Sequence, residues 1–244
     1  MGDMPIVKPG RDWAAVIFAL VLPTVVTLAY FVLAEGFSAE TQQTVYGVAK
    51  TVQFLFPIAY VLLIQRERPR LLPLTTNGIG TGLIFGLVIS AAMLALFHWG
   101  LKDAPFFDDA EVEMRDKITE MDLGTPTTFI GLGVFYSLIH SLLEEYYWRW
   151  FVFGQLASLT RLLPAVVVSA LGFMAHHVLV IGTYFGFYSP ATWIFSLCVA
   201  VGGAFWAWLY HRSGSLLGPW ISHLLVDAAI FIAGYEIAGP LLGK

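Results

Sequence analysis

Residues 127–158 read TTFIGLGVFYSLIHSLLEEYYWRWFVFGQLAS. Nearly all of this run is apolar or aromatic, yet it carries His140, Glu144, Glu145 and Arg149 close to its middle. About 20 residues are enough to cross the hydrocarbon of a bilayer, so the run predicts a membrane helix whose end tilts or emerges. An ionisable side chain deep in such a helix costs about 2.5–3.5 kcal/mol on insertion scales and is a functional suspect by default. The stretch therefore fixes a fold class and nominates a site together.

The rest of the chain agrees with the membrane reading. Of its 244 residues 58% are hydrophobic and only 12% charged, with a mean hydropathy of +0.75. Soluble domains carry about a quarter charged residues, so a water-facing surface cannot be built here. Apolar blocks at roughly 13–34, 44–64, 78–100, 127–158, 163–182, 190–210 and 215–238 predict membrane helices. The expected class is an all-α integral membrane protein, a bundle of about seven to eight transmembrane helices. Its polar site falls among the last four. The block from Trp13 to Ala34 is longer than a signal-peptide core and is read as a retained first helix. Residues 1–126 are expected to supply N-terminal helices and a surface loop, and 127–244 a helical core, in one continuous membrane domain. The net charge of −4 and the lack of a basic run exclude a nucleic-acid partner. The single cysteine, Cys198, excludes a disulfide framework.

Positive charges suggest an orientation. Lys8 and Arg11 precede the first helix, and Arg66, Arg68 and Arg70 follow the second. Arg161 and Arg212 join later pairs, and helix counting places all seven on one side. The N-terminus is expected in the cytoplasm, at the inner membrane if the host is prokaryotic. The longest loop, 101–126, has eight acids against three bases, with Met114, Ile118 and Met121 on one helical face and Phe106 and Phe107 upstream. It is expected to form a short helix on the opposite membrane surface or a solvated connector. Gly78, Gly82, Gly86 and Ser90 recur every four residues and predict a close helix–helix approach.

Several ionisable residues remain inside the apolar blocks. Glu145 and Arg149, four apart, stack on one helical face and can pair. His140 lies on the face of Glu144, which is left without an assigned cation. A carboxylate so placed suits general acid or base work. Glu144 stands 17 residues before Arg161 and His177 stands 16 after it, so a hairpin turning at Arg161 brings both to one depth. His223 and Asp227 share a face, where the carboxylate can orient the ring. Hydrophobic counting nevertheless places His223 nearer the surface, so tilt or a broken helix start is required. Lys50, His98, His211 and Glu236 are read as lying near helix ends, within snorkelling reach of water.

Glu-Glu-x-x-x-Arg (144, 145, 149), Phe-x-x-x-His (173, 177) and His-x-x-x-Asp (223, 227), in that order, resemble the motifs of the CPBP family. This family unites CAAX-processing proteases and bacteriocin-processing enzymes and is also called the Abi family. The resemblance covers roughly residues 127–230. Asp227 departs from the family's frequent Asn, and the Phe173 spacing selects His177 over His176. The resemblance implies intramembrane cleavage near the C-terminus of a membrane-anchored protein or peptide. Glu144 and His177 would activate water, and His223 and Asp227 would stabilise the oxyanion. Glu145, Arg149, Phe173 and His140 would support them. The family is commonly labelled metal-dependent, and Glu144, His177 and His223 form a Glu-plus-two-His set of the kind seen around zinc. The His-Glu-x-x-His spacing of metalloproteases is missing, so Zn2+ and no cofactor both stay open. A prenylated tail requires a host that makes one; otherwise a C-terminal sorting tail fits. The alternatives are a catalytically inert membrane scaffold and a proton-coupled transporter, though no paired halves are visible.

Overall fold

The computed structural model describes residues 9–33, 37–69, 75–121 and 123–242. It is 86% helical, with no strand among the described residues. Among the described residues seven helices are long and apolar enough to span a membrane: α1 (Gly10–Phe31), α2 (Glu40–Gln65), α3 (Ile79–Leu101), α5 (Pro126–Leu159), α6 (Leu162–Phe185), α7 (Pro190–Ser213) and α8 (Leu217–Ala238). Between α3 and α5 lies α4 (Pro105–Glu120), which is amphipathic. The protein is an all-α membrane bundle.

Local chemistry sets the boundaries. Thr125 caps α5 through a capping box with Thr128, and Pro126 follows at the first turn, where a missing N–H is harmless. Ser189 caps α7 in the same manner ahead of Pro190, and Gly214 ends that helix in the left-handed region at φ 66°. The interior of α5 is irregular. Phe135–His140 and Tyr146–Phe153 adopt the wider π-helical hydrogen bonding, on either side of an ordinary α-helical turn at Ser141–Glu145. Such interruptions recur at functional sites.

Arg11, Arg66, Arg68, Arg161 and Arg212 fall at one end of the bundle. Contacts there tie α1 to α2 (Arg11 Nη1 donates to the Ile64 carbonyl, 3.1 Å) and α2 to α5 (Gln65 Nε2 donates to Gln155 Oε1, 3.1 Å). Lys8, Arg70, Glu35, Ala34 and Asp122 lie outside the described residues. Beside these contacts Asp12, buried in α1, accepts from Tyr60 Oη at 2.6 Å and from Arg11. The opposite end is covered by α4. Phe107 packs there against Phe97 and Ile237, with Phe185 and Met114 alongside, and Ile118 packs against Phe129 and Ala238. The loop helix expected from Met114 and Ile118 is present, resting on the ends of α3, α6 and α8.

The four-residue stripe on α3 meets α8. A Cβ on Gly82 would collide with the Gly218 carbonyl, and one on Gly86 would stand 2.8 Å from Leu225 Cδ1. Ser90 Oγ donates to the Leu225 carbonyl at 2.8 Å. The main core cluster joins α1, α2, α5, α6 and α7 around Val16, Tyr147, Trp148, Phe151, Phe173 and Trp206. Tyr147 Oη donates to the Ala19 carbonyl at 2.8 Å, which fastens α1 to α5.

Candidate active site

Glu144 sits on the ordinary α-helical turn of α5, 18 residues after Pro126 and 15 before Leu159. It is 4% exposed. Three imidazoles face its carboxylate. His140 Nε2 is 3.4 Å and His176 Nε2 3.5 Å from Oε1, and His223 Nε2 is 3.7 Å from Oε2. They come from α5, α6 and α8. The depth conflict foreseen for His223 is resolved by the start of α8. Leu217 opens that helix only six residues before His223, whereas α6 runs 14 residues before reaching His176. At 1.5 Å per residue, α8 therefore begins roughly 12 Å deeper than α6. Gly218 permits this by lying against α3, where its own Cβ would stand 2.6 Å from the Gly78 carbonyl.

Glu145 points the other way and organises the second layer. Its Oε2 lies 3.1 Å from Arg149 Nε, the i,i+4 pair expected from spacing. Its Oε1 accepts from His223 Nδ1 at 2.9 Å. Glu145 and Arg149 are both fully buried. The guanidinium is also held between aromatic faces, 4.7 Å from the Phe173 ring centre and 5.3 Å from that of Trp206. Trp206 stacks on His223 at 4.2 Å and 18°, while its indole N–H donates to Ser222 Oγ at 2.9 Å.

Two sequence expectations change here. Asp227 was expected to orient the His223 ring, but Glu145 does so, and Asp227 Oδ1 stands 3.6 Å from the other nitrogen, Nε2. The reason is reach across the bundle: Glu145 faces α8 directly, at true hydrogen-bond distance. In the histidine doublet the spacing favoured His177, whereas His176 is the one that contacts Glu144. Successive helical residues diverge by about 100°, so the rotation of α6 in the bundle decides which of the two faces a given neighbour. His176 is fixed by stacking on Trp148, with rings 5.6 Å apart and 4° from parallel. His177 Nδ1 donates to the Phe173 carbonyl at 2.8 Å. A carbonyl can only accept, so Nδ1 carries the proton, and in the neutral ring Nε2 is left as an acceptor.

Sequence reasoning missed Trp206, whose clamp on Arg149 and His223 has no spacing signature. It also began the second helix at 44. Because α2 starts at Glu40, Lys50 lies ten residues inside it. Of the other residues set aside, His98 and Glu236 pair at 3.4 Å, with Lys102 also 3.2 Å from Glu236, at the α4-covered end.

Glu144, His177 and His223 do not form a ready metal cage. The histidines that approach Glu144 within 4.0 Å are His140, His176 and His223, so the expected Glu144, His177 and His223 set is not the one assembled. No ion-pair contact within 4.0 Å joins His177 to Glu144, and its Nδ1 is engaged with the backbone.

The segment containing this arrangement has a recognisable counterpart. Residues 125–229 match the family described as type II CAAX prenyl endopeptidase Rce1-like. This segment is similar to an Rce1-like core. No curated protein and no solved structure matches the chain. The Rce1-like family is a family of proteases, and the Rce1-like segment here holds Glu144, Glu145, Arg149, Phe173, His176, His177, His223 and Asp227 together. The first three helices and α4 lie outside it.

Proposed function

We propose that the protein is an intramembrane endopeptidase of the CAAX-protease type, cleaving near the C-terminus of a membrane-anchored protein or peptide. The observation that carries this reading is the gathering of His140, His176 and His223 around one carboxylate buried midway along α5. A buried carboxylate with several imidazoles and a second glutamate bracing one of them is general-base machinery with its own support.

Glu144 is the base. It removes a proton from a water molecule that is also held by the Nε2 lone pair of His177. The resulting hydroxide adds to the scissile carbonyl carbon and the carbonyl oxygen becomes an oxyanion. His223, protonated on both nitrogens, donates Nδ1–H to Glu145 and offers Nε2–H to that oxyanion, the kind of stabilisation acyl transfer depends on most. Asp227 stands beside the same nitrogen and balances the imidazolium charge. The intermediate then collapses as the C–N bond breaks. The proton held by Glu144 passes to the leaving amine, giving a new carboxylate and a free amino group. Glu145 and Arg149 act through His223 and are positioning residues. No step requires a metal.

The same reading puts the arginine-bearing end of the bundle, and with it the N-terminus, on the cytoplasmic side, supported by the distribution of Arg11, Arg66, Arg68, Arg161 and Arg212.

The test is cleavage of membrane-anchored C-terminal peptides by purified protein, wild type beside Glu144→Ala, with and without chelator. Cleavage by the wild type that disappears in Glu144→Ala and survives chelation is expected. Activity retained by Glu144→Ala would overturn the mechanism, and activity lost to chelator would require a metal in place of the unaided glutamate.

A further inference from the structure

Among the described residues, Lys50 is the cation between the helices that the site chemistry leaves unexplained. Ten residues separate it from the start of α2 and fifteen from its end. At 1.5 Å per residue this puts it about 15 Å along the helix, beyond the polar first turns Glu40, Thr41, Gln42, Gln43 and Thr44 and within the apolar part of the span. Intramembrane charges of this kind face the bundle interior and serve a ligand or a partner.

The surroundings of Lys50 narrow the choice. Its Nζ lies 5.5 Å from the centre of the Tyr46 ring and 5.7 Å from that of Phe54, one helical turn to either side. Both are cation–π contacts that hold a charge without neutralising it. Among the described residues no carboxylate lies within 4.0 Å of Nζ. The buried acids nearby are already engaged, Glu144 by three histidines and Glu145 by Arg149 and His223. Phe54 in turn meets His140 edge-on at 5.9 Å and Tyr147 at 6.1 Å. One aromatic ring thus separates the ammonium from a histidine that touches Glu144.

We propose that Lys50, framed by Tyr46 and Phe54, binds the C-terminal α-carboxylate of the substrate and so selects tails with a free carboxyl end. The inference rests on the peptidase reading of the Glu144 site and names what that site recognises. A tail cut near its end must carry its terminal carboxylate into the bundle, where an unpaired anion is as costly as an unpaired ammonium. Each charge removes the other's penalty, and three N–H donors on Lys50 serve the carboxylate oxygens. A lipid phosphate would supply an anion too, but it would create no preference between a carboxylate and a carboxamide tail.

The experiment uses two membrane-anchored peptides that differ only in ending as a carboxylate or a carboxamide. Cleavage is measured with wild type, Lys50→Gln and Lys50→Arg, and binding of the same peptides is measured on the inactive Glu144→Gln protein with and without Lys50→Gln. Wild type should favour the carboxylate, with KM lower by about 10- to 100-fold, the range that loss of a hydrogen bond to a charged group implies. Lys50→Gln should erase the preference through KM with kcat nearly unchanged, and Lys50→Arg should keep most of it. A preference that survives Lys50→Gln overturns the proposal, as does a loss of kcat shared equally by both peptides. Binding separates the two ideas. If wild type cleaves neither peptide but a carboxylate preference depends on Lys50, the peptidase reading fails and the Lys50 assignment stands. Equal binding of both peptides rejects the assignment whatever the turnover.

Discussion

At the scale of single residues, the site divides into groups that would do chemistry and groups that hold them. Glu144→Gln keeps the shape of the side chain and removes its basicity. A kcat lower by about 10²–10⁴-fold with KM little altered is expected, the range general-base removal commonly costs. The histidine doublet allows a sharper comparison. His177→Ala should approach the Glu144→Gln loss, because its Nε2 is preset as an acceptor by the Phe173 carbonyl. His176→Ala should cost less, since that ring contacts the carboxylate and stacks on Trp148. The reverse ranking in single-turnover kinetics would transfer the water-holding role to His176. Arg149 belongs to the holding group. Arg149→Met strands the Glu145 carboxylate in a fully buried place and should destabilise by about 3–5 kcal/mol, the usual result of removing one partner of a buried pair. Adding Glu145→Gln should recover part of that loss in thermal unfolding in detergent; no recovery would mean that the aromatic clamp, not the ion pair, carries the effect.

At the scale of helices, the α3–α8 seam decides whether the site assembles, because α8 brings His223 and Asp227 and α3 sets how deep it starts. Gly82→Ala drives a methyl into the Gly218 carbonyl. A loss of about 1–3 kcal/mol is expected for such overpacking, together with reduced activity. Gly80→Ala, on the same helix with nothing within 4 Å of its Cβ, should be neutral or mildly stabilising. Equal melting temperatures for the two variants would remove the seam from the account. This seam was readable from the four-residue stripe. So were the pairs within one helix, Glu145 with Arg149 and His140 with Glu144, because the helical repeat alone brings such residues together. Contacts between helices were not. The bond from His223 to Glu145, the Trp206 clamp and the choice of His176 depend on how each helix is rotated about its axis, which apolar all-round sequences leave unspecified. The second helix was begun at 44, where the apolar run starts, whereas the helix itself starts at Glu40 through polar residues that hydropathy does not register.

At the scale of the whole molecule, the bundle has two unlike ends. One carries Arg11, Arg66, Arg68, Arg161 and Arg212, and the other is covered by α4 with its acidic outer face. Long-range charge bias makes these ends inequivalent in a cell, since short arginine-bearing loops are retained in the cytoplasm. Cysteine accessibility can read the orientation directly. In a Cys198→Ser background, which removes the only native thiol, a cysteine replaces exposed Ser158 at the arginine end or exposed Thr119 on α4. A membrane-impermeant maleimide should label Thr119→Cys in intact cells, and Ser158→Cys only after permeabilisation. The opposite pattern would invert the topology and place the N-terminus outside. That outcome would leave the contacts around Glu144 untouched, because they are internal to the bundle. It would change which side of the membrane a cleaved tail is presented from, and therefore which population of anchored proteins could meet Glu144.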